Sequence, residues 1–334
     1  MNKQSKTIPF KKNSLLFAPM EGVTDLGYRL AIMDLFPEWD YYSTDFLRLP
    51  THGTFSNKKV IEHIGQEVLL DKNKLNRTCF QILANPQVDL ETNIQSIIDI
   101  GITHLDLNLG CPSPKVNRHQ GGAYLLSELA LLKEMLCRIR KVFPYHFSVK
   151  IRVGFKDDSL FDEIVTLINE CDVDSLTIHG RTREQLYKGI ADWSYTKKAV
   201  SSSKIPIICN GDIWSLEDID RAFKNTNCHS VMLGRGALKT PWIAGLYQEY
   251  CQGELINDSY LDQYRKNMIP DYFSVLEEKY LQLNKSHEFI LGRFKQFCRY
   301  IFEDFDEGSI ERDIHSRALK TQSLSLFTEL ISNL

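Results

Sequence analysis

Eight short apolar or β-branched runs, separated by stretches with helical spacing, constrain this chain more than any other feature. They read LLFAPM (15–20), YYSTDF (41–46), CFQIL (79–83), HLDLNLG (104–110), FSVKIRVG (147–154), SLTIHG (175–180), IPIICNG (205–211) and SVMLGRG (230–236). Between several of them lie amphipathic segments such as NIQSIIDIG (93–101), LALLKEMLCRIRKVF (129–143) and SLEDIDRAFKN (215–225), whose ends carry Gly, Pro or Asn. Eight βα units within about 240 residues match a closed (β/α)8 TIM barrel better than an open doubly wound sheet, which shows fewer strands. The expected class is therefore α/β.

After GALKTPW (236–242) the strand rhythm stops, and from about residue 255 the chain reads as helices only, with YFSVLEEKYLQL (272–283) and FILGRFKQFCRYIF (289–302) the clearest. The expected organisation is a tail (1–13), a barrel (14–250) and a C-terminal all-helical domain (251–334). In the second of these helices Ile290, Leu291, Phe294, Phe297, Cys298 and Ile301 share one face, which places Lys295, Arg299 and Arg293 on the solvent side. A chain of 334 residues with 43% hydrophobic content can bury a large core. No apolar run approaches the roughly 18 residues a membrane span needs, and the lysine-rich first dozen residues lack a signal-peptide core. No membrane partner and a cytoplasmic location are expected. Eight cysteines, the closest pair being Cys209 and Cys228 at 19 apart, form neither a zinc pattern nor a disulfide framework, so no metal is expected. A net charge of −3 leaves nucleic acid open as a partner, because a local basic face is enough.

Barrels of this kind carry their active sites at the C-terminal ends of the strands. Polar and reactive residues close nearly every strand pattern here: Pro19, Met20 and Glu21, then Gln81, Asn108 and Cys111, Lys150 and Arg152, His179 and Arg181, Asn210 to Asp212, and Gly234 with Arg235. The segments NGDI (210–213) and GRGAL (234–238) put Asn210, Gly211, Asp212, Gly234 and Arg235 after strands seven and eight, the usual phosphate corner of the fold. Either segment alone would be an ordinary turn; their pairing at these two strands points to an anion. Lys150 and His179 should face the barrel mouth, where a flavin fits. Its N1 and O2 edge gains from a cation, its pyrimidine edge pairs with an amide such as Gln81, and its phosphate reaches the corner. Cys111, set between Gly110 and Pro112 in LNLGCPSPKV (107–116), reads as a thiol presented on a rigid loop, with a packed buried cysteine as the alternative.

In APMEGVTD (18–25), FQI (80–82), LNLGCPSPKV, VKIRVG (149–154), HGRT (179–182), NGDI and GRGAL, taken in that order, the chain resembles the tRNA-dihydrouridine synthases over roughly residues 15 to 300. NGDIW (210–214), GRTREQLYKG (180–189) and GRFKQF (292–297) look most like the bacterial C-type branch, which acts on a uridine at position 16 of the D-loop. The resemblance implies FMN as cofactor, NADPH (or NADH) as reductant, tRNA as substrate, Asn108 holding the uracil and Cys111 as proton donor. A thiol whose ordinary pKa is about 8.5 suits that role, being mostly protonated at neutral pH yet able to give its proton up. One departure is VNRHQGGAYL (116–125), where Arg118, His119 and Gln120 precede the glycines that often follow the cysteine; another is Ala84 in place of a common glycine.

A paired or stacked base must be flipped out for reduction, at a cost of a few kcal/mol that RNA-backbone contacts offset. Arg48, Arg152, Arg181, Tyr187, Arg293, Lys295 and Arg299 are the candidate contacts, and a monomer is expected. Two other readings stand beside this one. The first is a flavin barrel reducing a free pyrimidine, in the manner of dihydroorotate dehydrogenase; the second is a tRNA-binding protein without chemistry.

Overall fold

The computed structural model describes residues 8–334, so residues 1–7 of the expected tail lie outside the described residues. Nine parallel strands form: β1 (Ser14–Phe17), β2 (Tyr41–Ser43), β3 (Leu47–Arg48), β4 (Thr78–Leu83), β5 (His104–Leu109), β6 (His146–Arg152), β7 (Ser175–His179), β8 (Ile207–Asn210) and β9 (Ser230–Leu233). Eight of them close on themselves, because β1 pairs with both β2 and β9 while β2 continues to β4. The ninth, β3, adds two residues beside the end of β4, with Leu47 opposite Ile82 and Arg48 opposite Leu83. The run expected over 41–46 is thus broken in two. At the break the Thr44 hydroxyl, rather than a strand carbonyl, accepts the Gln81 backbone N–H at 3.0 Å.

The strands bury both faces, as a parallel barrel requires. Leu16, Ala18, Tyr41, Cys79, Ile208 and Met232 form one interior cluster, and Phe10 packs into it with its ring 5.3 Å from that of Tyr41. The expected interstrand helices are present at Leu90–Asp99, Leu129–Val142 and Leu216–Thr226. The first is capped by Asp89, whose carboxylate accepts the Thr92 N–H at 3.0 Å. The GRG end of the last strand pattern is not strand: Arg235–Lys239 is a short helix.

The C-terminal helices are Asp258–Gln282, His287–Ile301, Ile310–Lys320 and Leu324–Ile331. The chain falls into two compact units. One holds the strands; the other holds Arg235 to the C-terminus together with Leu26–Trp39 and Trp214–Leu216. The helical unit therefore begins earlier than residue 251 and takes in the helix Leu26–Leu35, which packs against Asp258–Gln282. Lys279 reaches Asp34 at 2.8 Å, and the Tyr280 ring lies under Gly27. Among the described residues, no helix is long and apolar enough to cross a membrane.

That packing leaves no room at Gly27, where an added Cβ would sit 2.5 Å from two ring carbons of the fully buried Tyr280. Gly27→Ala should destabilise the protein by about 1–3 kcal/mol, whereas Gly292→Ala, at an open helix position, should be neutral or stabilise it by up to about 1 kcal/mol. Thermal unfolding of the two variants against wild type checks both signs.

Candidate active site

Three of the expected residues are joined directly at the end of the barrel. The Gln81 Oε1 accepts from Asn108 Nδ2 at 2.8 Å, and Asn108 Oδ1 accepts the backbone N–H groups of Gly110 at 3.0 Å and Cys111 at 2.9 Å. The turn that carries the thiol is therefore held by the side chain of the preceding strand. From the far side Asn117 donates to the Cys111 carbonyl at 3.2 Å and to Ser113 O at 2.7 Å, while its own oxygen accepts from Tyr124 N. Gly122, with φ +60°, backs the thiol: a Cβ there would lie 3.2 Å from that of Cys111 and 2.9 Å from Val116. Cys111 is only 6% exposed. Burial pushes its thiol above the ordinary value, against the opposing pull of the Ser113 backbone bond, so it is protonated at neutral pH.

Lys150 is the register partner of Asn108 on the neighbouring strand. Its ammonium has no hydrogen-bond partner among the described residues, and burial pulls its pKa down to about 8, with the Arg152 charge adding to the shift and Asp106 opposing it. A partly buried ammonium with no hydrogen-bond partner among the described residues, set at a barrel mouth, suits an anionic or acceptor-rich ligand. His179, one strand further, lies with its Nε2 3.3 Å from Arg181 Nη1, and since a guanidinium only donates, that ring nitrogen is the acceptor.

The corner after β8 is built around the same arginine. Arg181 is 1% exposed and grips Asp212 through both carboxylate oxygens, the Nη1 to Oδ1 bond being 3.1 Å. Asp212 also accepts from Ala191 N at 2.8 Å. The carboxylate that would repel an anion is thus neutralised. Gly211 has φ +111°, and a Cβ on it would strike the His179 ring at 2.6 Å, so only glycine lets this loop lie against the imidazole. Asn210 ties the end of β8 to β9 through Met232 O at 2.8 Å. Met20 and Gly234 lie side by side, the Met20 sulfur 3.7 Å from where a Gly234 Cβ would be, and the turn through Pro19 and Glu21 is closed by Thr24 accepting from Met20 N. Lys150, the Gly211 cradle and the neutralised Asp212 together suit a flavin phosphate-and-ring site.

Several of the expected RNA-binding residues are placed differently. Arg152 is buried and donates to Gly110 O at 3.0 Å, Thr182 O at 2.9 Å and Leu186 O at 2.7 Å, bracing the cysteine turn against the loop after β7. Tyr187, largely exposed, lies over its guanidinium at 5.6 Å. Arg293, expected on the solvent side, is buried instead: it donates to the Tyr280 hydroxyl at 3.1 Å and sits 4.7 Å over the Phe297 ring. The correction has a simple cause, since a guanidinium can satisfy itself inside a helical core by bonding a phenol and stacking on an aromatic ring. Lys295 is half-buried and Arg299 exposed on the same helix, and Arg235 stacks on Trp214 at 4.8 Å; all of these belong to the helical unit. Arg48 is exposed beside a cleft of about 170 Å3 that Thr51, Asn85, His119, Leu83 and Val116 also line. His119 comes from the departing loop, and Ala84 takes no positive φ. Asp106, Asn117, Ser148 and Thr44 were not anticipated. The alternation of His104, Asp106 and Asn108 with three leucines in β5 is the signal that could have found the first.

The sequence profile of the dihydrouridine synthase (Dus) family matches residues 16–303. The chain is 30% identical over 303 residues to the tRNA-dihydrouridine(16) synthase of Neisseria meningitidis serogroup A, covering 90% of this chain and 89% of that protein. It is likewise 30% identical over 304 residues to the enzyme of the same name from Escherichia coli O157:H7, with 88% and 90% covered. A profile match over residues 16–303, with relatives 30% identical along about nine-tenths of the chain, establishes that the chain belongs to the dihydrouridine synthase family.

Proposed function

We propose that this chain reduces a D-loop uridine of tRNA, residue 16, to 5,6-dihydrouridine, with FMN as bound cofactor and NADPH as reductant. The observation that carries the reading is a buried, protonated Cys111 thiol on a turn fixed by Asn108, beside a strand that presents an unpaired Lys150. Relatives named tRNA-dihydrouridine(16) synthase along nearly the whole chain supply the position.

Reduction of the C5–C6 bond adds a hydride at C6 and a proton at C5. A reduced flavin held at this site would supply the hydride. Cys111 supplies the proton, and its raised pKa keeps it loaded at neutral pH. FMN bound here would be held by Lys150 at the acceptor-rich edge of its ring system, by the remaining Gln81 amide hydrogen at its pyrimidine edge and by the Gly211 turn at its phosphate. Arg181 keeps Asp212 from opposing that phosphate. On the RNA side the exposed Arg48, Tyr187 and Arg299 and the half-buried Lys295 would meet the backbone, while Arg293 acts inside the helical unit.

Three outcomes test the reading. Cys111→Ala should bind FMN and accept electrons from NADPH at near wild-type rate, while oxidation of its reduced flavin by tRNA slows about 10²- to 10⁴-fold. Anaerobic stopped-flow traces of the two half-reactions separate these steps, and equal tRNA-driven oxidation in wild type and variant would remove Cys111 from the mechanism. FMN affinity of the apoprotein should be flat up to about pH 8 and fall above it, as the Lys150 ammonium that binding requires is lost. Lys150→Met should bind more weakly and lose that pH dependence, which fluorescence titration between pH 7 and about 9.5 measures. Finally, Lys295→Ala with Arg299→Ala should lower the salt slope of tRNA binding by about 0.7–0.9 for each phosphate these side chains neutralise. An unchanged slope would assign both side chains to solvent.

A further inference from the structure

We infer that Asp106 is a positioning residue for Cys111: its buried carboxylate sets the direction of a chain of side-chain hydrogen bonds that ends on the backbone of the thiol turn. The inference rests on Cys111 being the proton donor proposed above.

The chain runs through the barrel interior. Tyr41 Oη lies 2.6 Å from His104 Nδ1, His104 Nε2 lies 2.9 Å from Ser148 Oγ, and Ser148 donates to Asp106 Oδ1 at 2.6 Å. From the other side Gln81 Nε2 donates to Asp106 Oδ2 at 2.8 Å. An ionised carboxylate can only accept. Its demand for donors on both sides fixes everything beyond it. Gln81 must turn its NH2 toward Asp106, which leaves its Oε1 for Asn108 Nδ2. Asn108 must then turn its oxygen outward, and that oxygen takes the N–H groups of Gly110 and Cys111. Were Gln81 reversed, its NH2 would face the Asn108 NH2, and Asn108 could relieve the clash only by turning its own NH2 on two backbone donors. The thiol turn would lose its hold.

The carboxylate is in the required state at neutral pH. Burial pushes its pKa up to about 6, with the bonds from Ser148 and Gln81 and the Lys150 charge pulling the other way. On the opposite side His104 is kept neutral by burial and by His146, whose ring centroid is 4.4 Å away, so it can donate at one nitrogen and accept at the other. Asp106 touches neither the proposed base nor the thiol, and it reaches the thiol turn through Gln81 and Asn108.

Alkylation of the full-length protein by iodoacetamide, followed peptide by peptide by mass spectrometry, reads the thiol turn without any activity. The exposed Cys137 and Cys251 serve as internal references. Asp106→Leu should raise the Cys111 rate at least fivefold relative to these two. Asp106→Asn should stay within twofold of wild type, because Ser148 can rotate to accept its NH2 and the remaining oxygen still receives Gln81. Ser148→Ala should also stay within twofold, since it cuts the chain on the far side of Asp106. In tRNA reduction Asp106→Leu should lose kcat tenfold or more with KM for tRNA nearly unchanged, and Asp106→Asn should recover it. If Asp106→Leu does not fold, Gln81→Leu breaks the same chain and should release Cys111 equally. An unaltered Cys111 rate in Asp106→Leu or Gln81→Leu, an equal rise in Ser148→Ala, or no rescue by Asp106→Asn would overturn the inference. Absence of dihydrouridine with the wild-type protein would instead sink the functional reading, and the alkylation rates would still decide this one.

Discussion

A closed barrel of eight parallel strands has to fill its own interior, and here one side of that interior is filled by hydrogen-bonded polar side chains rather than by aliphatic ones. Buried polar groups cost several kcal/mol each if left unpaired, so such filling is stable only when each member is satisfied by its neighbours. Tyr41, His104, Ser148, Asp106, Gln81 and Asn108 meet that condition in sequence. The linkage runs from the apolar plug around Phe10 to the turn that carries Cys111. A packed aliphatic interior would have been at least as stable, but it could not have determined which way the Asn108 amide points.

The same balance of charge governs the opposite side of the mouth. A buried guanidinium–carboxylate pair repays its desolvation only with close geometry and additional bonds, and Arg181 and Asp212 have both, including the Lys188 carbonyl at 3.1 Å and the Ala191 N–H. Pairing them cancels their charges and leaves Lys150 as a partly buried cation without a hydrogen-bond partner among the described residues. Arg152 then ties the two halves together, reaching the cysteine turn with one nitrogen and the loop after β7 with another. The mouth is therefore held by bonds within the chain itself, which suits catalysis by positioned acids and cations.

All eight barrel strands were legible in the sequence because apolar runs bounded by Gly, Pro and Asn survive any tertiary context, and the strand ends followed from the architecture alone. What side chains do once they are buried was less legible. Arg152, Arg181 and Arg293 all read as surface cations, yet each finds carbonyls, a carboxylate or a ring inside the fold, and composition carries no trace of those partners. Asp106 was overlooked for the opposite reason: inside LDLNLG it looks like ordinary strand alternation until closure turns that face inward. The helix Leu26–Leu35 was missed as a partner of the C-terminal helices because its packing on Asp258–Gln282 joins segments more than 200 residues apart in the chain. A cut near residue 255 would strip that helix of its partner rather than separate two domains.

The most direct measurement is nucleotide-resolved mapping of dihydrouridine in unmodified tRNA transcripts incubated anaerobically with the purified, FMN-loaded protein and NADPH. The account predicts one new dihydrouridine, at the D-loop uridine 16, and none elsewhere in the same molecules. Transcripts that remain unmodified, while a free pyrimidine oxidises the reduced protein under the same conditions, would contradict it.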